Sequence, residues 1–120
     1  MMGSRSMNGG IELRNDLKGD VLIIRFFGRL DVLTTPDLEK QVFNFIDRGQ
    51  HRLLLDFSSV DYISSAGMRM LLSMTKKLKN VSGQMVLFAP ANNVMDVFRM
   101  SGFDHVLQIS SNETEGLSRF

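Results

Sequence analysis

The chain has 120 residues and no cysteine, which fits one domain with a single core and excludes disulfides and thiolate metal sites. Fourteen basic residues stand against thirteen acidic ones, so we expect no direct nucleic-acid binding. No apolar run approaches the ~20 residues of a membrane helix. The N-terminus also lacks the apolar core of a secretory signal. We therefore expect a cytoplasmic protein without membrane insertion.

The chain begins with a polar segment and continues with two predicted strands. Residues 1–9 are small and polar, and we expect a disordered lead or a tag remnant there, followed by one domain over residues 10–120. Ile11–Asn15 alternates apolar and polar side chains, the pattern of a half-buried strand. Val21–Phe27 is dense in β-branched and aromatic residues. We predict an antiparallel hairpin whose connection, residues 16–20, is longer than a two-residue turn.

A helix is predicted next. Thr34 suits the N-cap and Pro36 the first helical positions, and Gly49 suits the C-terminal end. Between them an apolar stripe at helical spacing is formed by Leu38, Val42, Phe45 and Ile46.

The central segment is expected to be a buried strand, a polar loop and a second helix. Leu53–Leu55 is an apolar run that Asp56 ends, and we predict a packed loop from Phe57 to Tyr62. Ser64 and Ser65 then provide N-cap chemistry for the helix. At 100° per residue, Met70 and Met74 fall at one edge of its apolar face, where a partner could contact them.

The remaining elements complete an α/β fold. Met85–Ala89 is a predicted strand, a short helix begins at Asn92, and a last strand covers Val106–Ile109. Residues 111–120 allow one or two further helical turns. The order ββαβαβαβ(α) predicts a mixed, mostly parallel sheet of four to five strands with right-handed crossovers.

Catalysis is disfavoured by the residues present. A serine nucleophile needs a base within hydrogen-bond reach. His51 and His105 each precede a strand, and we expect them at the sheet edge opposite Ser65. The sequence around Ser65 lacks the Gly-x-Ser-x-Gly pattern, and no glycine-rich phosphate loop or His cluster is present. We therefore predict a protein that is not an enzyme and uses no cofactor or metal.

The segment from Asp56 to Arg69 resembles the signature of the STAS domain, in the small single-domain form of the bacterial anti-sigma factor antagonists. That signature is a strand ending in Asp, a loop, Asp-Ser-Ser/Thr-Gly, then Leu-Gly and an apolar helix. Ile63-Ser64-Ser65-Ala66-Gly67-Met68-Arg69 matches it with Ser64, Ala66 and Arg69 as departures. Gly28-Arg29-Leu30-Asp31 and Arg99-Met100-Ser101-Gly102-Phe103 add support, and the resemblance spans roughly residues 10 to 110.

The resemblance implies a regulatory binding module. The family's phosphorylated serine maps onto Ser65, and the implied partners are an anti-sigma factor that is also a serine kinase of the histidine-kinase-like ATPase fold, and a PP2C-type phosphatase. Asp56 is expected to organise the loop, and the chain to be a monomer or weak dimer. The implied partner-binding residues are Asp31, Ser64, Ser65, Gly67, Met68, Arg69 and Met70.

Several alternatives stay open at this point. Ser65 is either a plain N-cap serine or a modification site, and Asp31 is either a partner contact or a cap of loop amides. Gly67 permits either partner approach or tight helix packing. The three departures from the signature leave room for a STAS module of another assembly: a stressosome-like scaffold, a transporter accessory subunit or a signalling output partner. A small hydrolase or ligand-binding protein is the third class.

Overall fold

The computed structural model describes residues 4–8 and 11–120 and contains one six-stranded sheet. The strands are β1 (Ser4–Asn8), β2 (Ile11–Lys18), β3 (Val21–Leu30), β4 (Arg52–Ile63), β5 (Gln84–Phe88) and β6 (Gln108–Ser110). The helices are α1 (Thr35–Asp47), α2 (Ser65–Lys79), α3 (Asn92–Ser101) and α4 (Glu113–Leu117), with a 3-10 turn at Phe103–His105. The predicted alternation of strands and helices is confirmed.

The sheet is mixed and its strands follow sequence order. β1, β2 and β3 are antiparallel neighbours, whereas β3, β4, β5 and β6 are parallel. The main core lies where α1, α2 and α3 pack on one face, and a smaller cluster around Leu54 and Val86 lies under α4 on the other. Because both faces of the central strands are covered, Leu53, Leu54 and Leu55 are all fully buried.

The hairpin is tighter than predicted. β2 extends to Lys18, which pairs directly with Val21, so the connection is the two residues Gly19 and Asp20. Gly19 has φ of +62°, a conformation that glycine adopts without steric cost and that two-residue hairpins require. Residues 16–18, which we predicted as part of the connection, continue the strand β2.

The loop predicted from Phe57 to Tyr62 is also wrong. β4 runs without interruption through this segment and pairs with the end of β3. Its pairing register shifts twice, between Arg25 and Phe27 and between Gly28 and Arg29. These irregularities break the two-residue alternation of side chains, so Phe57, Val60 and Ile63 are buried at intervals of three.

The N-terminal lead differs from expectation where the structure describes it. Ser4–Asn8 forms an extended strand paired antiparallel with β2, whereas we expected a disordered segment. The remaining positions of the predicted lead lie outside the described residues. The division into a lead over 1–9 and one domain over 10–120 stays a prediction.

The C-terminal elements shift by a few residues. β6 is shorter than predicted and begins at Gln108, because the residues after α3 first form the 3-10 turn. The tail forms the single short helix α4, which Asn112 caps by accepting a hydrogen bond from the amide of Glu115. α4 lies on the face of the sheet away from α1–α3 and leaves the region around Ser65 uncovered.

Candidate functional site at the start of helix α2

Helix α2 begins one residue after β4, at the C-terminal edge of the parallel strands. Ser64 has extended backbone dihedrals and accepts a hydrogen bond from the amide of Gly67 at 3.3 Å. Its own amide donates to the carbonyl of Leu30 at 2.8 Å, which ties the helix start to the end of β3. Of the two serines predicted to provide N-cap chemistry, Ser64 is the N-cap and Ser65 is the first helical residue.

Ser65 is exposed, and its hydroxyl forms no hydrogen bond within the described residues. Among residues 4–8 and 11–120 no group hydrogen-bonds to this hydroxyl, and the side chain lies at the surface. The first turn that follows it, Ala66-Gly67-Met68, is uncharged. A negative group added at Ser65 would therefore meet the positive end of the helix and free amide hydrogens.

Gly67 brings α2 close to the rest of the domain. A Cβ atom at this position would lie 2.8 Å from Cγ1 of Ile63 and 3.1 Å from both Cβ and the carbonyl oxygen of Leu30. Such contacts are closer than packed atoms tolerate, so glycine permits tight packing of α2 against the end of β3. Of the two roles considered for Gly67, tight helix packing is the one with a visible structural basis.

Asp31 lies beside this site in the loop between β3 and α1. Its Oδ1 accepts hydrogen bonds from the amides of Leu33 and Thr34, at 2.9 and 3.1 Å, and its Oδ2 faces Arg29 at 3.5 Å. Partial desolvation raises the pKa of Asp31, but the two amides and Arg29 outweigh it and leave the pKa below its ordinary value. Asp31 thus caps loop amides, and a contact with a partner stays a prediction.

The same loop presents two apolar side chains that the sequence reasoning missed. Val32 and Leu33 are 69% and 78% exposed. Their signal in the sequence was their position between Asp31 and Thr34, outside the apolar stripe of α1. Val32 lines a groove together with Ala66 and Arg69 of α2. Exposed apolar residues of this kind are typical of a protein-binding surface.

Two open grooves flank α2 at this end. We call the first, of about 380 Å³, the α2–α3 groove; its lining includes Ser65, Met68, Arg69, Val97 and Phe103. The second, of about 370 Å³, is the α1–α2 groove, lined by residues that include Val32, Pro36, Glu39, Arg69 and Met70. Arg69 lines both grooves, so it stands on the ridge between them, one helical turn after Ser65.

The methionines of α2 do not lie where we expected. Met70 and Met74 are 2% and 0% exposed, because α1 packs beside α2 and covers that edge. The prediction that they form an exposed partner contact is wrong. Met68 is also buried, at 6% exposure, whereas Met100 on α3 is 88% exposed.

Asp56 organises the strand that leads to the site rather than a loop. It is 8% exposed, and its Oδ1 accepts from the amide and the hydroxyl of Ser58, at 2.9 and 2.6 Å. Its Oδ2 pairs with Arg25 at 3.1 Å, and Arg25 also pairs with Glu113 of α4 at 2.9 Å. Hydrogen bonds from Arg25 and Lys18 hold the pKa of Glu113 below its ordinary value. This network fixes β4 and α4 together behind the site.

In the described part of the chain, neither histidine forms a hydrogen bond with Ser65. The ring of His51 lies near the carbonyl of Ile46, at the far end of the 12-residue strand β4. His105 lies between Phe103, which lines the α2–α3 groove, and Val106, which lines a groove with Lys79 and Gly83 at the other end of α2, so its position at the opposite edge stays a prediction. Its ring is largely exposed and lies 3.8 Å from Asp104. Within the described residues no three potential metal ligands cluster, and no helix has the length and apolar character to cross a membrane.

A sheet with an accessible serine at the start of a helix, beside exposed apolar residues, defines a small α/β binding domain. The comparison with family models identifies its kind: the STAS domain model matches residues 13–116. The chain therefore belongs to the STAS domain family, as the resemblance in the sequence indicated.

Individual relatives agree with this assignment. A Bordetella bronchiseptica protein, BtrV, described as a candidate anti-sigma factor antagonist, is 31% identical over 92% of this chain and 95% of its own. A Listeria monocytogenes anti-sigma-B factor antagonist is 24% identical over 91% and 95%. The phosphorylated form of SpoIIAA from Bacillus, 22% identical, has the same fold with a TM-score of 0.69 over 89% of this chain and 97% of that one.

Proposed function

We propose that this protein is an anti-sigma factor antagonist whose binding is switched off by phosphorylation of Ser65. The observation that carries the proposal is the exposed, uncommitted hydroxyl of Ser65 at the first position of α2, in a STAS domain whose relatives are named as such antagonists. The unmodified protein binds an anti-sigma factor and so releases a sigma factor for transcription. The protein itself acts as binding module and kinase substrate, without catalysis or cofactor.

The switch rests on local electrostatics. Phosphorylation adds about 1.5 to 2 negative charges at neutral pH, and at the N-terminus of a helix this charge is favourable for the domain itself. A partner that covers Ser65 closely would have to remove water from the same charge. The free-energy cost of this desolvation is large for an unpaired charge and weakens the complex. The modified protein thus stays folded while its complex dissociates.

The contact surface surrounds Ser65. We expect the partner to cover the exposed side chains of Ser65 and Arg69 and the half-buried Ser64, and to extend to the loop of Asp31 through Val32 and Leu33. Gly67, Met68 and Met70 are buried, so they support this surface from below rather than form it.

The remaining partners follow from the family pattern. We propose that the anti-sigma factor is also the serine kinase, with a histidine-kinase-like ATPase fold, and that a PP2C-type phosphatase removes the phosphate. This exchange takes place in the cytoplasm, where sigma factors act. The protein needs no dimer for it, and we expect a monomer or weak dimer.

The test compares charge at Ser65 with charge elsewhere. Ser65→Asp should weaken binding to the anti-sigma factor at least ~30-fold, about 2 kcal/mol, since like-charge or unpaired-charge contacts cost several kcal/mol at an interface. Ser65→Ala should bind like the unmodified protein and resist the kinase. Ser82→Asp adds the same charge beyond the other end of α2 at an exposed residue and should bind normally.

Binding and melting temperature are measured for all variants. Unchanged affinity in Ser65→Asp, or loss of the fold in that variant, would contradict the proposal. Pull-down from native extract separates the classes of partner: recovery of a kinase-like ATPase supports an antagonist, and recovery of a transporter or stressosome subunit assigns the domain to another assembly.

A further inference from the structure

The structure places an exposed cation within reach of the proposed phosphorylation site. Arg69 lies four residues after Ser65 on α2, and both residues are exposed and line the α2–α3 groove. Residues at i and i+4 of a helix are neighbours, about 5–6 Å apart at their Cβ atoms. Helical side chains lean toward the N-terminus, so Arg69 extends over the turn that begins with Ser65.

Arg69 is also free to change partners. In the described part of the chain Arg69 forms no ion pair or hydrogen bond, whereas Arg29 at the end of β3 already faces Asp31. Glu39 of α1 lines the α1–α2 groove with Arg69, but no ion pair joins the two side chains in the described part of the chain. An arginine that pairs with no acid in the unmodified protein is suited to bind a phosphate that is added afterwards.

From this arrangement we propose that Arg69 is the intramolecular counter-charge of phosphorylated Ser65. The proposal rests on the proposed function, because it assumes that a phosphate is placed on Ser65. The guanidinium would hold one face of the phosphate through charge-assisted hydrogen bonds. Phosphorylation would then change two adjacent groups of the binding surface, since it adds an anion and withdraws Arg69 from any acidic group of the partner.

The pair is tested without the kinase by incorporating phosphoserine at position 65 during translation. A phosphorus NMR titration gives the second pKa of the phosphate, which is about 6 for an isolated group. Pairing with Arg69 stabilises the dianion, so the pKa should be lower than in Arg69→Gln by about half a unit or more. Arg69→Lys should recover part of this shift because it restores the charge without the planar fork.

Lys76→Gln is the matched control, because it removes one exposed charge from the same helix three turns away. A lower phosphate pKa in the wild type and Lys76→Gln than in Arg69→Gln supports the pair. Equal pKa values with and without Arg69, or equal effects of both substitutions, would overturn it. Failure of the switch is a separate result. In that case the pKa shift would still reveal the pair, but phosphoserine at position 65 would leave the affinity for the partner unchanged.

Discussion

Helices α1 and α2 begin at the same edge of the sheet with similar residues and differ in what those residues can do. Each follows one of the adjacent parallel strands, and each has a hydroxyl residue at the N-cap and at the first helical position: Thr34 and Thr35 for α1, Ser64 and Ser65 for α2. Thr34 and Thr35 are 1% and 6% exposed, whereas Ser65 lies at the surface.

The two sites also differ in hydrogen bonding and charge. The Thr34 hydroxyl donates to the carbonyl of Arg29 at 2.9 Å and accepts from the amide of Asp31 at 3.0 Å. Asp37 in the first turn of α1 and Asp31 before it already place negative charge there. The comparison teaches that helix-start chemistry alone does not define a phosphorylation site; accessibility and an uncharged first turn separate Ser65 from Thr35.

The strongest test of this contrast places the same charge at both first helical positions. Thr35→Asp should lower the free energy of unfolding by about 3 kcal/mol, because it buries a carboxylate beside existing acids. Ser65→Asp should change it by no more than about 0.5 kcal/mol, since the charge is exposed and at the favourable end of the dipole. Urea denaturation measures both. Similar losses in the two variants would show that the helix starts are equivalent.

A milder test removes the two N-cap hydroxyls. Thr34→Ala should destabilise the protein by about 2 kcal/mol, because a buried hydroxyl with two backbone partners leaves both of them unsatisfied. Ser64→Ala should cost about 1 kcal/mol, the usual value for a lost N-cap. Thermal and urea denaturation of the pair give the ranking, and Ser64→Ala as the more harmful change would contradict the account of Thr34.

The smallest expected effect is the change in stability when acid protonates Asp31 in the loop between β3 and α1. The folded pKa of Asp31 is below its ordinary value of 3.8, so Asp31 stabilises the fold above that value and loses this contribution as the pH falls through the folded pKa. An NMR titration of the Asp31 carboxyl should show this low pKa, with the amide signals of Leu33 and Thr34 shifting together with it. An Asp31 pKa at or above 3.8 would show that the amides do not hold the carboxylate.

Much of the fold could be predicted from local patterns. Apolar periodicity located the main strands and the stripe of α1, and N-cap chemistry located the start of α2 at Ser64. The extension of β4 through Phe57–Tyr62 could not be predicted, since register shifts against β3 disrupt the alternation by which strands are identified.

The site was predicted in part for a similar reason. The position of Ser65 at the start of a helix followed from N-cap chemistry, but the burial of Met70 and Met74 depends on α1, a neighbour that is distant in sequence. The exposure of Val32 and Leu33 likewise depends on how the loop is held by Asp31. Tertiary packing determines whether such side chains are exposed or buried, and the apolar periodicity of a single helix carries no information about that packing.

Mapping the phosphate after incubation of the protein with its cognate anti-sigma kinase and ATP tests the central claim most directly. One phosphate is expected, on Ser65, with Ser64, Thr34 and Thr35 unmodified and no incorporation into a folded Ser65→Ala variant. Phosphate on another residue, or incorporation that persists in Ser65→Ala, would contradict it.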